Sequence, residues 1–213
     1  MTWLITAGAA IAVAGVAFVN SGFFNQQIEK ASLSYLSGIQ LKALDGSGGM
    51  VKSSDLWQKR GAVIMVVRRP GCSLCREEAG KLSSLKPKLD KKGTPLIAVV
   101  HQTIGVEEFK EFFQGKIYLD EKRKFYGPFE RWENIIVGLL RVQTWTNALR
   151  AYNGGYKGNM EGEGRLMGGL FVLGSANQGI LLEYREKAWG DHADLKDVVK
   201  AVEKIQTLGD SEL

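Results

Sequence analysis

Short, wholly apolar runs alternate along the chain with longer stretches whose apolar residues recur at helical spacing. Ala62–Val67 (AVIMVV) and Leu96–Val100 (LIAVV) are continuous and rich in β-branched residues. That pattern predicts strands buried on both faces, as in a parallel sheet. Ile117–Leu119 predicts a further short strand. Leu170–Leu173 and Ile180–Tyr184, joined by a turn at Ser175–Gln178, predict a hairpin. Cys72 to about Leu89 reads as a helix, with Leu74, Leu82, Leu85 and Leu89 near one side and Pro87 kinking its end. Val106–Phe113 and Asp194–Leu208 read as amphipathic helices. Phe129–Tyr152 reads as one long helix, and its broad apolar face, including Trp132, Ile136, Leu139, Trp145 and Leu149, is expected in the core or at an interface. Asn153–Gly169 is a Gly-rich loop.

Three segments follow from this pattern. Residues 1–24 are an apolar N-terminal segment. Trp3–Val19 carries no charge, and the first charged side chain is Glu29. Its length falls just short of the roughly 20 residues that span a bilayer, which leaves a signal peptide, a membrane anchor and a docked helix all open. Residues 25–49 read as a helical connector (Asn25–Leu44) followed by the linker Asp45–Gly49. Residues 50–213 form the main domain. Its order is strand, helix, strand, helix, then a hairpin and a closing helix. The early βαβ unit requires parallel pairing with a right-handed crossover, and the hairpin adds antiparallel strands. The predicted class is α/β, a thioredoxin-like fold with a mixed central sheet, an inserted long helix and an N-terminal apolar helix.

Charge and cysteine content remove several function classes. With 28 Lys and Arg against 23 Asp and Glu, the net charge is +5, and no basic stripe with interleaved aromatics marks a nucleic-acid surface. Two cysteines exclude a disulfide scaffold and a zinc ribbon. His101 and His192 lie far apart, outside any metal-ligand spacing. The glycines of the 153–169 loop form no phosphate-binding fingerprint, and Glu161 and Glu163 within it read as solvated rather than as general acids.

The chemistry concentrates in Cys72-Ser73-Leu74-Cys75, which follows a buried strand and opens a helix. Two cysteines at i and i+3 share a helix face. Partial positive charge at a helix N-terminus favours thiolate over thiol. Arg68, Arg69 and Arg76 flank the pair and are candidates for stabilising that thiolate. On this reading Cys72 attacks, Cys75 resolves, and an external reductant resets the disulfide.

The segments GAVIMVVRRPGCSLCREEAGKLSSL, IYLDEKRKFYGP, NGGYKGNMEGEGRLMGGLFVLG and GILLEYREKAWGD together resemble the peroxiredoxin-like 2 family, within the wider AhpC/TSA and thioredoxin-like group. The apolar N-terminus and the helix before Asn153-Gly-Gly resemble its A subtype. The resemblance implies an antioxidant, redox-regulatory protein with Cys72 and Cys75 as the redox-active pair. It implies no bound cofactor, with reducing equivalents from thioredoxin and NADPH or from another dithiol reductant, and a peroxide or disulfide substrate. A sibling subtype, similar to prostamide/prostaglandin F synthase, reduces a lipid endoperoxide, which is one alternative activity. A non-enzymatic redox-sensitive regulator is another. A cytoplasmic location is expected, with secretion or membrane association through residues 1–24 as alternatives. The chain departs from the wider group in places. Aligned to the Pro-x-x-x-Thr/Ser-x-x-Cys pattern of peroxiredoxins, Arg68 takes the Pro place, Cys72 the Thr place and Cys75 the peroxidatic place. The order of attack is therefore open at this point. Gly168-Gly169 stands where thioredoxins carry a cis-proline facing the cysteines.

Overall fold

The computed structural model describes residues 13–206. The first half of the apolar segment, residues 1–12, lies outside those residues, and the closing helix expected to reach Leu208 ends at Glu203. Seven strands form one mixed sheet: β1 (Gln40–Ala43), β2 (Met50–Lys52), β3 (Ala62–Val67), β4 (Leu96–Val100), β5 (Lys116–Leu119), β6 (Gly169–Leu173) and β7 (Ile180–Arg185). Their spatial order is β2-β1-β5-β4-β3-β6-β7. β3, β4 and β5 run parallel, and the β6–β7 hairpin is antiparallel to β3. The mixed sheet and the hairpin agree with the pattern in the sequence.

Every residue of β3, β4 and β6 is buried. Side chains alternate between the faces with the strand period of two. Val63, Met65, Val67, Ala98 and Val100 enter one core, which also holds both cysteines. Ala62, Ile64, Val66, Ile97 and Val99 enter the other, with Trp57, Phe125 and Tyr126. At about 1.5–3 kcal/mol for each large apolar side chain buried, these central strands set the rigidity of whatever their ends carry.

Helix α1 covers residues 13–20, and α2 is one turn, Leu33–Ser37. The connector expected as a helix over residues 25–44 is therefore mostly extended. Its second half is β1, which pairs with β2 and β5 and buries Leu41 and Ala43. The 3.6-residue spacing of apolar positions there is overridden by the local alternation of Gln40-Leu41-Lys42-Ala43, which suits an outer strand. The helix after the cysteines is two: α3 (Ser73–Ser83) and α4 (Lys86–Lys92), with Pro87 in the first turn of α4, where its missing N–H costs nothing. α5 (Val106–Phe109) is shorter than expected.

The largest correction concerns Phe129–Tyr152, which is not one helix. Residues 129–134 are not helical, and Trp132 bridges to Leu166. α6 (Ile135–Leu140) follows, capped by the Asn134 side chain, and α7 (Val142–Asn153) begins after a break at Arg141. The break is fixed from outside. Asn20 donates to the Leu140 carbonyl and accepts from the Val142 N–H, while buried Arg141 pairs with Glu133 at 2.9 Å. Ile135, Ile136, Leu139, Val142, Trp145, Leu149 and Tyr152 are all exposed, so of the two places expected for this face, core or interface, it does not lie in the core. α8 (Leu195–Glu203) closes the domain over β6 and β7.

Candidate functional site

β3 delivers the chain into the turn Arg68-Arg69-Pro70-Gly71. Cys72 is the N-cap of α3, with extended backbone (φ −78°, ψ 132°), and Cys75 lies in the first turn. Both are free thiols, 5% and 2% exposed. Side-chain hydrogen bonding with Cys75 is the largest influence drawing the Cys72 thiol well below its ordinary range. The Arg68 and Arg69 charges act in the same direction, and burial opposes them. The same hydrogen bond, together with burial, holds Cys75 well above the thiol range. Of the two thiols, Cys72 is the one whose ionised form the surroundings favour.

The three arginines singled out by proximity in sequence do different things. Arg68 reaches the site directly. Its Nη2 donates to Cys72 Sγ at 3.0 Å and its Nη1 to the Gly164 carbonyl at 2.8 Å. Arg69 contributes charge but turns toward Met160, with Nη2 3.4 Å from its sulfur. Arg76 lies away from both sulfurs and acts as a clamp, donating to the Pro70 and Lys157 carbonyls.

The Gly-rich segment is a cover. Residues 156–165 lie across the cysteine turn, tied by Asn159 N–H to the Gly71 carbonyl at 2.7 Å and by the Arg68 and Arg76 bonds. Gly158 is required there, because a Cβ would collide with the backbone of Ser73 and lie 2.7 Å from the Gly71 carbonyl oxygen. Gly168 is required at the start of β6, where a Cβ would collide with the Val66 carbonyl. The place of the thioredoxin proline is thus filled by a residue chosen for close backbone approach. Glu163 pairs with Arg165 at 2.8 Å, which holds its carboxyl down at about 2, so it stays ionised and is no proton donor near neutrality. Glu161 is exposed.

Sequence reading missed the ionisable groups behind the pair. Glu186, at the end of β7, is buried and accepts from the Gly168 and Gly190 N–H groups, with one oxygen 3.8 Å from Arg68 Nε. Burial pushes its carboxyl up, while Arg68 and the two backbone donors oppose that. Glu78, one turn beyond Cys75, is buried, and desolvation followed by repulsion from Glu186 drives its carboxyl well above the usual range. His192, read as a loop residue, packs between Glu77 and Glu78, with Nε2 3.8 Å from Glu78 Oε2. Burial brings its imidazole down to about 3, so it is neutral near pH 7. The only available signal was a charged pair, Arg185-Glu186, at the end of an otherwise sheet-forming run. His101 does not touch either sulfur, and its Nε2 lies 2.9 Å from the Arg68 carbonyl. No group of three or more His, Cys, Asp or Glu side chains suited to a metal ion occurs among the described residues.

This arrangement can supply a thiol whose ionised form is favoured, a second thiol in the first turn of the same helix, and a cation 3.0 Å from the first sulfur. Comparison with known proteins agrees at the level of family and fold. A family model described as AhpC/TSA antioxidant enzyme matches residues 81–188, a span that begins beyond both cysteines. The chain is 53% identical over 206 residues to Peroxiredoxin-like 2A of Xenopus tropicalis, covering 95% of this chain and 90% of that protein. It is 50% identical over 207 residues to Peroxiredoxin-like 2A of Homo sapiens, covering 96% and 90%. Among solved structures, the bacterioferritin comigratory protein of Xanthomonas campestris matches with a TM-score of 0.51 at 14% identity, covering 83% of this chain and 98% of that one. A peroxiredoxin-like protein from Aquifex aeolicus matches at 0.53 and 13%, covering 84% and 88%. The thioredoxin-like fold is common to them.

Proposed function

The chain belongs to the peroxiredoxin-like 2 family, on its 2A branch, and on that footing we propose that Cys72 and Cys75 form a dithiol–disulfide couple that reduces hydroperoxides. The observation that carries this reading is the Cys72 sulfur at the N-cap of α3, 3.0 Å from the Arg68 guanidinium, with Cys75 in the first turn of the same helix.

The Cys72 thiolate attacks the terminal oxygen of the hydroperoxide. An S–O bond forms, the O–O bond breaks, and the departing alkoxide takes a proton to leave as an alcohol, or as water from hydrogen peroxide. Cys72 becomes a sulfenic acid. Cys75 then attacks that sulfur and the S–S bond forms. The hydroxyl leaves with the Cys75 proton as water. Two electrons have passed from the dithiol to the peroxide. An external dithiol of the thioredoxin class returns them by two thiol–disulfide exchanges, drawing on NADPH, and needs no cofactor bound to this chain. Arg68 stabilises the attacking sulfur and the charge that moves away from it. The low pKa of Cys72 supports it as attacker and Cys75 as resolver, the assignment read from the residues rather than the one from the peroxiredoxin pattern. The reaction belongs in the cytoplasm, where reductant pools keep thiols reduced.

The test is NADPH consumption by the full chain with thioredoxin, thioredoxin reductase and hydrogen peroxide. Turnover is expected and should vanish in Cys72→Ser. In Cys75→Ser, one equivalent of peroxide should be consumed, leaving a trappable sulfenic acid on Cys72. Undiminished turnover in Cys72→Ser overturns the scheme, and a sulfenic acid found on Cys75 reverses its order.

A further inference from the structure

α7 is an inverted amphipathic helix. Its inward residues are Thr144, Asn147 and Ala151, and the Asn147 amide donates to the Trp189 carbonyl. Its outward stripe is Val142, Trp145, Leu149 and Tyr152, at i, i+3, i+7 and i+10, the last three being 60%, 60% and 78% exposed. α6 extends the stripe. Gly138 faces inward, where a Cβ would press on the Trp189 ring, and Ile136 on the opposite side is 70% exposed. α1 borders the same surface. It is tied to the α6–α7 break through Asn20, and between α1 and Val142 runs an apolar groove of about 460 Å³. Phe18 and Phe23 are exposed beside it. Water-soluble proteins rarely leave so continuous an apolar surface uncovered.

From this surface we propose that α1, α6 and α7 form one face that lies on a lipid bilayer at the depth of the headgroups, without crossing it. Three observations select lipid over a second copy of the chain. The first is continuity. α1 lies within the stretch of residues 1–28 that has no charged side chain, and a bilayer accepts both an apolar segment and the apolar helix surface it adjoins. The second is charge. No Asp or Glu occurs from Asn134 to Met160, and the chain as a whole carries +5, which anionic headgroups attract. The nearby acids are already engaged, Glu133 by Arg141, Glu77 by Arg150, and Asp191 by Gln143 and the Lys187 N–H. The third is the placement of Trp145. Its indole N–H is consumed by the Leu139 carbonyl at 2.7 Å, so the ring makes no polar demand on its surroundings. An indole whose donor is already satisfied can enter lipid without an unpaired polar group. Among the described residues no helix is long and apolar enough to cross a membrane.

The experiment is flotation of the full chain with vesicles of phosphatidylcholine and phosphatidylserine, compared with the pair Trp145→Glu and Leu149→Glu. Wild type should float. The pair should partition at least about ten-fold more weakly, because two carboxylates replace two inserted side chains. Circular dichroism checks folding, and Tyr152→Glu, at the most exposed position of the stripe, is read in place of the pair if the pair fails to fold. Equal flotation of wild type and variant makes residues 1–24 the sole anchor and overturns the proposal. Absence of flotation overturns it as well. So does a concentration-dependent dimer in analytical ultracentrifugation that the same pair abolishes, since the occupant is then a second copy.

Discussion

Removing the Arg68 charge should raise the Cys72 pKa by about 1–2 units. The perturbation has to be made in a pair. Arg68→Met alone would leave Glu186 buried without the cation 3.8 Å away, and that carboxylate would itself disfavour a nearby thiolate. Arg68→Met with Glu186→Gln removes both charges at nearly constant volume. The magnitude follows from the geometry. At 3.0 Å and an effective dielectric of about 20, the bare attraction would be roughly 5 kcal/mol. That is a ceiling, because the same pair of substitutions also removes the repulsion between the Glu186 carboxylate and the thiolate. A hydrogen bond to a charged group contributes a net of about 1.5–3 kcal/mol, and one pKa unit is about 1.4 kcal/mol. The assay is the pH dependence of iodoacetamide alkylation, with mass spectrometry locating the label. Cys75, held high, does not compete at low pH. Below both Cys72 values the rate should fall about 10–100-fold. An unchanged profile would refute the reasoning and leave the Cys75 hydrogen bond and the helix N-terminus as sufficient causes.

Two further predictions concern the surroundings of the pair. Glu78 is buried and raised, so the folded state holds its proton more tightly than the unfolded chain. The stability this gives is complete below the unfolded value of about 4.3 and is lost as pH rises toward the folded pKa. Glu78→Gln should therefore match wild type in urea midpoint near pH 4 and exceed it increasingly toward pH 8. A constant difference across that range would contradict it. Gly158→Ala places a methyl group against the backbone of Ser73. It should cost about 1–3 kcal/mol and lift the cover, giving faster alkylation of Cys72 at saturating pH, and an unchanged rate would show that residues 156–165 do not limit access to the sulfur.

How far the sequence discloses such a structure depends on the range of the forces involved. β3 and β4 are legible because six and five consecutive apolar residues have no stable place except inside a sheet. Cys72, Cys75 and Arg68 are legible because strand end, turn and helix start lie within eight residues, where chain connectivity alone brings them together. Direction is not. Arg69 and Arg76 are as near in sequence as Arg68, yet one turns to Met160 and the other to backbone carbonyls. Glu186 and His192 arrive from more than a hundred residues away, by a route through β6 and β7 that no local pattern encodes. β1 fails for another reason: over four residues, strand alternation and helical spacing share too many positions to be told apart.

α7 shows where periodicity itself stops being informative. The spacing of Val142, Trp145, Leu149 and Tyr152 correctly identifies a helix with one apolar side. It is silent on which way that side points. Inward orientation is an added assumption, valid when the only other solvent is water. Here Asn147 and Thr144 occupy the inner face, with the Asn147 amide satisfied by the Trp189 carbonyl, and Arg150 reaches from the flank to bind Glu77 through two hydrogen bonds, at 2.7 and 3.0 Å. Those bonds attach the helix through its polar side. Turning α7 over to bury the apolar stripe would strand Asn147 and leave Glu77 without that partner. At about 1–3 kcal/mol for each buried polar group left unpaired, more for a charge, the orientation is held by polar chemistry on α3 and the Trp189 loop, and the apolar face is left outward for a different solvent to cover.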